Sequence, residues 1–180
     1  MTHNDEIEAR NPGRRVSVRG FVAGDEEGLR AMFRQLSPET IYLRFHMPYP
    51  HVPEALAVHL ARHSGGRSVV AIAGEEVVGH AMYAGEARSE AEAAVVVEDG
   101  WQGRGIGKRL LTELARRAAG RGIETLTGVA LGENRRVLGL VDAVFAGPRY
   151  RIGSGSYDIR MPLEGLRTPA RPERESRPAA

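Results

Sequence analysis

The chain has 180 residues, enough for one domain at about 150 residues per domain but not for two. Hydrophobic residues at 42% and charged residues at 27% supply a core, which excludes wholesale disorder, and no apolar run reaches the roughly 20 residues that span a bilayer. The formal charge of +2, from 25 basic and 23 acidic residues, is too even for capture of nucleic acid, and the absence of cysteine excludes disulfides, thiolate metal sites and a cysteine nucleophile. The polar, acidic start (Met1 to Asn11), neither basic nor followed by an apolar stretch, leads to the expectation of a soluble protein with no export signal. The expectation is a cytoplasmic protein with no nucleic-acid partner and no membrane partner.

Residues 1–14, with Asn11-Pro12-Gly13, form an expected flexible lead-in. Val16 to Val22 predicts a first strand. Asp25 then caps a helix with Leu29, Met32, Phe33 and Leu36 on its inner face. Ser37-Pro38 opens a second helix, serine as cap and proline at the first helical position, with Tyr42, Leu43 and Phe45 as its expected buried side. A loop from Pro48 to Pro53 leads to a third helix through Leu60. Val69 to Ala73 and Val77 to Ala84, joined by Gly74-Glu75-Glu76, read as a hairpin. Ala93 to Val97 is a strand, and after a glycine-rich turn a helix runs from Gly107 to Ala119, ended by Gly120 and Gly122. Thr125 to Leu131 is a strand and Asn134 to Asp142 a short helix. Phe145 to Tyr150 and Ser156 to Pro162 are the expected closing strands. From Glu164 a Pro- and Arg-rich segment predicts a disordered tail, residues 164–180, leaving 15–163 as the domain. Antiparallel strands followed by one strand, helix, strand unit predict an α/β (α+β mixed) fold with a central sheet flanked by helices.

Chemistry concentrates after Ala93 to Val97. A buried strand runs into a turn holding Gly103, Gly105 and Gly107, and the turn opens an amphipathic helix with Leu110, Leu111, Leu114, Ala115 and Ala118 inward. Such a junction offers helix-terminal N–H groups and a positive dipole end, hence an anion site suited to phosphate or pyrophosphate. Arg104 and Lys108 add charge. The dinucleotide fingerprint G-x-G-x-x-G fits Gly103 and Gly105 but meets Lys108 where its third glycine belongs. The P-loop pattern fits Gly107-Lys108 but meets Gln102 and Arg109 at two required positions. Gln-x-x-Gly-x-Gly does match, as Gln102, Gly105 and Gly107.

With this motif the sequence resembles the GCN5-related N-acetyltransferase (GNAT) superfamily, over about residues 16–162 by order of elements. The resemblance implies a mixed, mostly antiparallel central sheet and acetyl-coenzyme A as co-substrate, without a metal. It places the pyrophosphate on Gln102, Gly103, Arg104, Gly105, Ile106, Gly107 and Lys108, and the coenzyme and thioester carbonyl along strand N–H groups of Val95, Val96 and Val97. Gly132-Glu133-Asn134 is similar to an element whose asparagine contacts the coenzyme. Leu36 to Phe45 is similar to an early helical segment in bacterial protein-lysine acetyltransferases, which implies a protein lysine as acceptor, with a small-molecule amine as the alternative.

Acetyl transfer needs a neutral amine, and a lysine ammonium has a pKa near 10.4. The resemblance gives the proton to Glu92 as general base, with Glu90 as second candidate and the apolar Ala93 to Val97 expected to desolvate Glu92. The tyrosine that many members place beyond the asparagine is replaced by Leu140 and Val141, so no acid is assigned, and a non-catalytic acyl-coenzyme A sensor stands as the alternative from another class. His59 and His63 lack the His-Glu-x-x-His pattern of zinc peptidases and read as surface residues, and Trp101 reads as packing beneath the turn.

Overall fold

The computed structural model describes residues 14–63, 66–85 and 89–167. The expected lead-in to residue 13 and the expected tail from residue 168 lie outside the described residues. Seven strands form one sheet in the order β1-β2-β3-β4-β5-β7-β6: β1 Val16–Gly20, β2 Ser68–Ala73, β3 Glu76–Ala84, β4 Glu90–Val97, β5 Thr125–Leu131, β6 Arg149–Gly153 and β7 Ser156–Pro162. All neighbours pair antiparallel except β4 and β5, which run parallel because α4 (Ile106–Ala119) carries the chain across between them. The mixed, mostly antiparallel sheet matches the expectation.

Side-chain alternation along the strands builds a core on each face. One packs α4 and α5 (Arg135–Val144) on the sheet through Leu110, Leu114, Leu126 and Phe145. The other packs α1 (Glu26–Arg34), α2 (Pro38–Phe45) and α3 (Glu54–His63) through Leu29, Phe33, Ile41, Val70 and Val96. On that second face β5, β6 and β7 lie bare: Val129 is 47% exposed and all of β6 is exposed.

Three local expectations change. Asp25 precedes α1, but its side chain does not cap the helix. Its carboxylate instead takes two 2.7 Å hydrogen bonds from Arg19 and one of 2.9 Å from the Val22 N–H, since a charged bidentate donor outcompetes helix-end amides. The buried residues of α2 are Thr40 and Ile41; Tyr42 is exposed and Leu43 and Phe45 are half-buried. Phe145 to Pro148 forms no strand beyond a bridge from Phe145 to Leu166, because Gly147 turns with φ 74° and Pro148 lacks an N–H, so β6 begins at Arg149. Structure also runs past Glu164, as the Arg167 N–H donates to the Val144 carbonyl at 2.8 Å.

Candidate active site

The site opens where two parallel strands part. β4 and β5 pair only at Glu90 with Thr125, Ala91 with Leu126 and Glu92 with Thr127. Beyond Glu92 the β4 residues remain paired to β3 alone, so alternate N–H and C=O groups of Ala93 to Val97 face a gap. A cavity of about 410 Å³ occupies one side of this gap and a second of about 320 Å³ the other. Val95, Asn134, Val137, Leu43 and Arg44 line both.

The glycine turn closes the larger cavity. Gly103 and Gly105 have φ of 75° and 72°, left-handed values that side chains rarely adopt, and a Cβ at either would meet nothing within 4 Å. Conformation, rather than crowding by the protein, is therefore what calls for glycine at both. Gly105 is the residue before α4, and its carbonyl already accepts the first helical hydrogen bond, from the Arg109 N–H at 3.2 Å. The amides of the first α4 turn are thereby left without intrahelical partners and point at the cavity with the positive dipole end. Gln102, Gly103, Gly105, Ile106, Gly107 and Lys108 all line it. Ile106 is buried beneath, so only its backbone can face a ligand, and Arg104 lies over the Trp101 ring at 5.1 Å. Trp101 itself is packed in the core, as expected.

Gln102 is held from three sides. Its Nε2 donates to Thr40 Oγ1 and to the Val97 carbonyl, each at 3.1 Å, and its Oε1 accepts from Arg136 at 3.2 Å. Asp99, three residues before Gln102, accepts from the Ser37 N–H at 2.9 Å, Ser37 Oγ at 2.6 Å and Thr40 Oγ1 at 2.7 Å. These bonds fasten the start of α2 to the turn, about sixty residues away in sequence. Neither Asp99 nor Arg136 is singled out by the sequence, because their partners are remote. Asn134 caps α5, its Oδ1 accepting from the Val137 N–H at 3.3 Å, while facing both cavities.

Glu92 ends the β4–β5 ladder and lines the second cavity and a further groove on the bare face beside Arg149 and Arg151. It is exposed rather than enclosed by the valines, since alternation turns its side chain to the bare face. Glu90 is engaged elsewhere: Arg160 donates to its two oxygens at 2.6 and 3.3 Å. Leu140 faces the larger cavity and Val141 is buried in the core, and the Tyr150 hydroxyl donates to Asp142 at 2.7 Å. Although Tyr150 is exposed overall, partial desolvation and that bond raise its pKa above the ordinary value, leaving it a poor proton donor. His80, fully buried on β3, stays neutral with its pKa lowered to about 3 by desolvation and by the nearby charge of Arg44. Among the described residues no cluster of His, Cys, Asp and Glu suits a metal, and no helix is long and apolar enough to cross a membrane.

Comparison with known proteins agrees with this geometry. A model of the acetyltransferase (GNAT) family matches residues 29–142. The GNAT domain of S. lividans PAT is 26% identical with a TM-score of 0.72, covering 82% of this chain and 90% of that one. A GNAT superfamily phosphinothricin acetyltransferase from Sinorhizobium meliloti, solved with acetyl-coenzyme A, gives a TM-score of 0.63 at 21% identity, covering 89% of this chain and 96% of that one. The PaiA N-acetyltransferase of Thermoplasma acidophilum, solved with coenzyme A, gives 0.65 at 15%, covering 82% and 99%. These last two share the fold. No curated protein matches the sequence. The family match spans more than half of the chain and falls on the elements that form the parted strands and the glycine turn, so the protein belongs to the GNAT acetyltransferase family.

Proposed function

We propose that the protein is an acetyl-coenzyme A dependent N-acetyltransferase acting on a primary amine by direct transfer, with Glu92 as general base. The observation that carries this is the joining of three features along one gap: the helix-terminal anion site at Gly103 to Lys108, the unpaired edge of β4, and a carboxylate at the gap's far end. The pyrophosphate takes the amides of the first α4 turn with Lys108 beside it, and Asn134 flanks the pantetheine path. Free N–H groups within Val95 to Val97 hold the thioester carbonyl and stabilise the charge that grows on its oxygen. The amine gives its proton to Glu92, directly or through water, and attacks the carbonyl carbon. A C–N bond forms, the C–S bond breaks, and the thiolate leaves to be protonated by solvent. Gln102, held by Thr40, Val97 and Arg136, positions the turn as well as facing the coenzyme.

A protein lysine is the acceptor we favour, on the similarity of Leu36 to Phe45 to protein-lysine acetyltransferases and on the bare sheet face beside Glu92, which leaves room for a protein surface. A small amine is the second reading, favoured by the 320 Å³ cavity in which Glu92 also sits. Glu92→Gln tests the base: thiol release should fall by about 10² to 10⁴ while coenzyme affinity, by calorimetry, stays within about twofold. Full turnover in that variant removes Glu92 from the role. Incubation with acetyl-coenzyme A, an amine panel and extract proteins, read by mass, separates the acceptors, and binding without thiol release for every acceptor identifies a sensor.

A further inference from the structure

Arg44 stands on α2 between the two cavities and lines both. Its guanidinium lies over the Phe45 ring at 4.8 Å, which covers one face. Its Nε is shut off from solvent and has no hydrogen-bond partner among the described residues. The carboxylate whose field reaches it is that of Glu92, yet no ion pair within 4.0 Å joins the two among the described residues. Desolvation lowers the Arg44 pKa only to about 10, so it stays cationic at neutral pH.

Arg44 is half-buried, and a guanidinium whose Nε is sealed from water without a partner carries a desolvation cost that the described residues do not offset, while removing the charge by deprotonation is not open to it here. The acyl-transfer reading does not use this charge. The coenzyme's diphosphate already has the amides of α4, and a lysine side chain arriving as a neutral amine brings no anion. What a planar, donor-rich guanidinium at the meeting point of two cavities suits is a carboxylate, bound through two parallel N–H···O bonds.

Resting on the acyl-transfer reading, we propose that Arg44 determines specificity: the substrate at the reacting centre carries a carboxylate, which Arg44 binds beside the thioester. Its source is either the acceptor, which is then the small amine of the second reading, an amino-acid-like compound whose amine faces Glu92 while its carboxylate faces Arg44, or, with a protein lysine as acceptor, the acyl chain, a dicarboxylic acyl group whose free end reaches Arg44. The second cavity, of about 320 Å³ with one fixed charge of each sign, complements the former directly.

The test uses pairs matched except for the carboxylate, with thiol release as readout. In the acceptor arm, acetyl-coenzyme A is given amino acids against their decarboxylated amines. In the donor arm, succinyl- is compared with butyryl-coenzyme A on one amine. The charged member should win by at least about tenfold in kcat/KM in one arm, the winning arm naming the source. That ratio should fall to near one in Arg44→Gln and to an intermediate value in Arg44→Lys. A ratio within one variant does not depend on how much of it is folded. Turnover with equal rates in both arms, or a preference that survives Arg44→Gln, overturns the proposal and leaves acyl transfer standing. If no pair turns over, calorimetry of glutarate against glutaramide on the coenzyme-loaded protein decides. Saturable glutarate binding lost in Arg44→Gln supports the carboxylate site even where the transfer reading fails, and no glutarate binding overturns it.

Discussion

Asp99→Ala isolates the contact that fixes α2 to the glycine turn. The carboxylate accepts three hydrogen bonds of 2.6 to 2.9 Å, from the Ser37 N–H, Ser37 Oγ and Thr40 Oγ1. Bonds to a charged group contribute roughly 1.5 to 3 kcal/mol each, but two of the donors are hydroxyls that rotate and the site is only part-buried, so water recovers much of the sum. A net loss of about 2 to 4 kcal/mol remains, which for a domain of this size lowers Tm by roughly 5 to 15 °C. The loss has a functional side, because Thr40 passes the contact on to Gln102, and α2 also carries Leu43 and Arg44 into the cavities. The stabilisation conferred by saturating acetyl-coenzyme A should therefore shrink in the variant by more than the drop in Tm alone explains, as expected when ligand binds only the assembled site. Thermal unfolding with and without the coenzyme measures both. A double-mutant cycle with Thr40→Val should return a coupling above about 0.5 kcal/mol. A Tm change under 2 °C with additive single effects refutes the network.

Gly105→Ala, at φ 72°, should cost about 1 to 2 kcal/mol and weaken the coenzyme at least tenfold, whereas Gly139→Ala, inside α5 with open space at its Cβ, should stabilise by about 0.5 to 1 kcal/mol. Denaturant titration and calorimetry check both, and equal effects on stability would remove the conformational argument for the turn. His80, whose pKa falls from 6.5 to about 3 on folding, makes stability depend on pH: the unfolded chain binds the extra proton between those values. Its contribution is complete above pH 6.5 and is lost as pH falls toward 3, by about 1.4 kcal/mol per unit at most. Denaturant unfolding at pH 7.0, 6.0 and 5.0 should show that slope in the native chain and less of it in His80→Gln, and identical slopes would mean that His80 is not held neutral.

What was legible in the sequence was local. Val69 to Ala84 reads as a hairpin because two apolar runs flank Gly74, and α4 is bounded by glycines and faced by Leu110, Leu111, Leu114, Ala115 and Ala118, all buried. The cradle was legible because left-handed turns require glycine, at Gly103 and Gly105. The divergence of β4 from β5 was not, since nothing at Glu92 or Thr127 marks where a parallel ladder stops. Asp25 misled because its strongest partner, Arg19, sits on β1 rather than at the helix end. That pairing holds the Asp25 carboxyl below its ordinary pKa.

The misassigned face of α2 has a physical cause that bears on the site. Hydrophobic periodicity assumes that a helix meets core on one side and water on the other. α2 meets three environments: core at Ile41, solvent at Tyr42, and cavity at Leu43 and Arg44. An apolar residue that lines a ligand cavity counts toward the pattern as if it were core, so Leu43 draws the expected inner face toward the gap. A polar residue engaged there counts against it, as Thr40 does with its bonds to Asp99 and Gln102. Periodicity on a helix beside a binding gap thus fails in a fixed direction, toward the gap. The same displacement leaves Arg44 looking like an exposed charge, when its Nε is shut off from solvent at the junction of the two cavities.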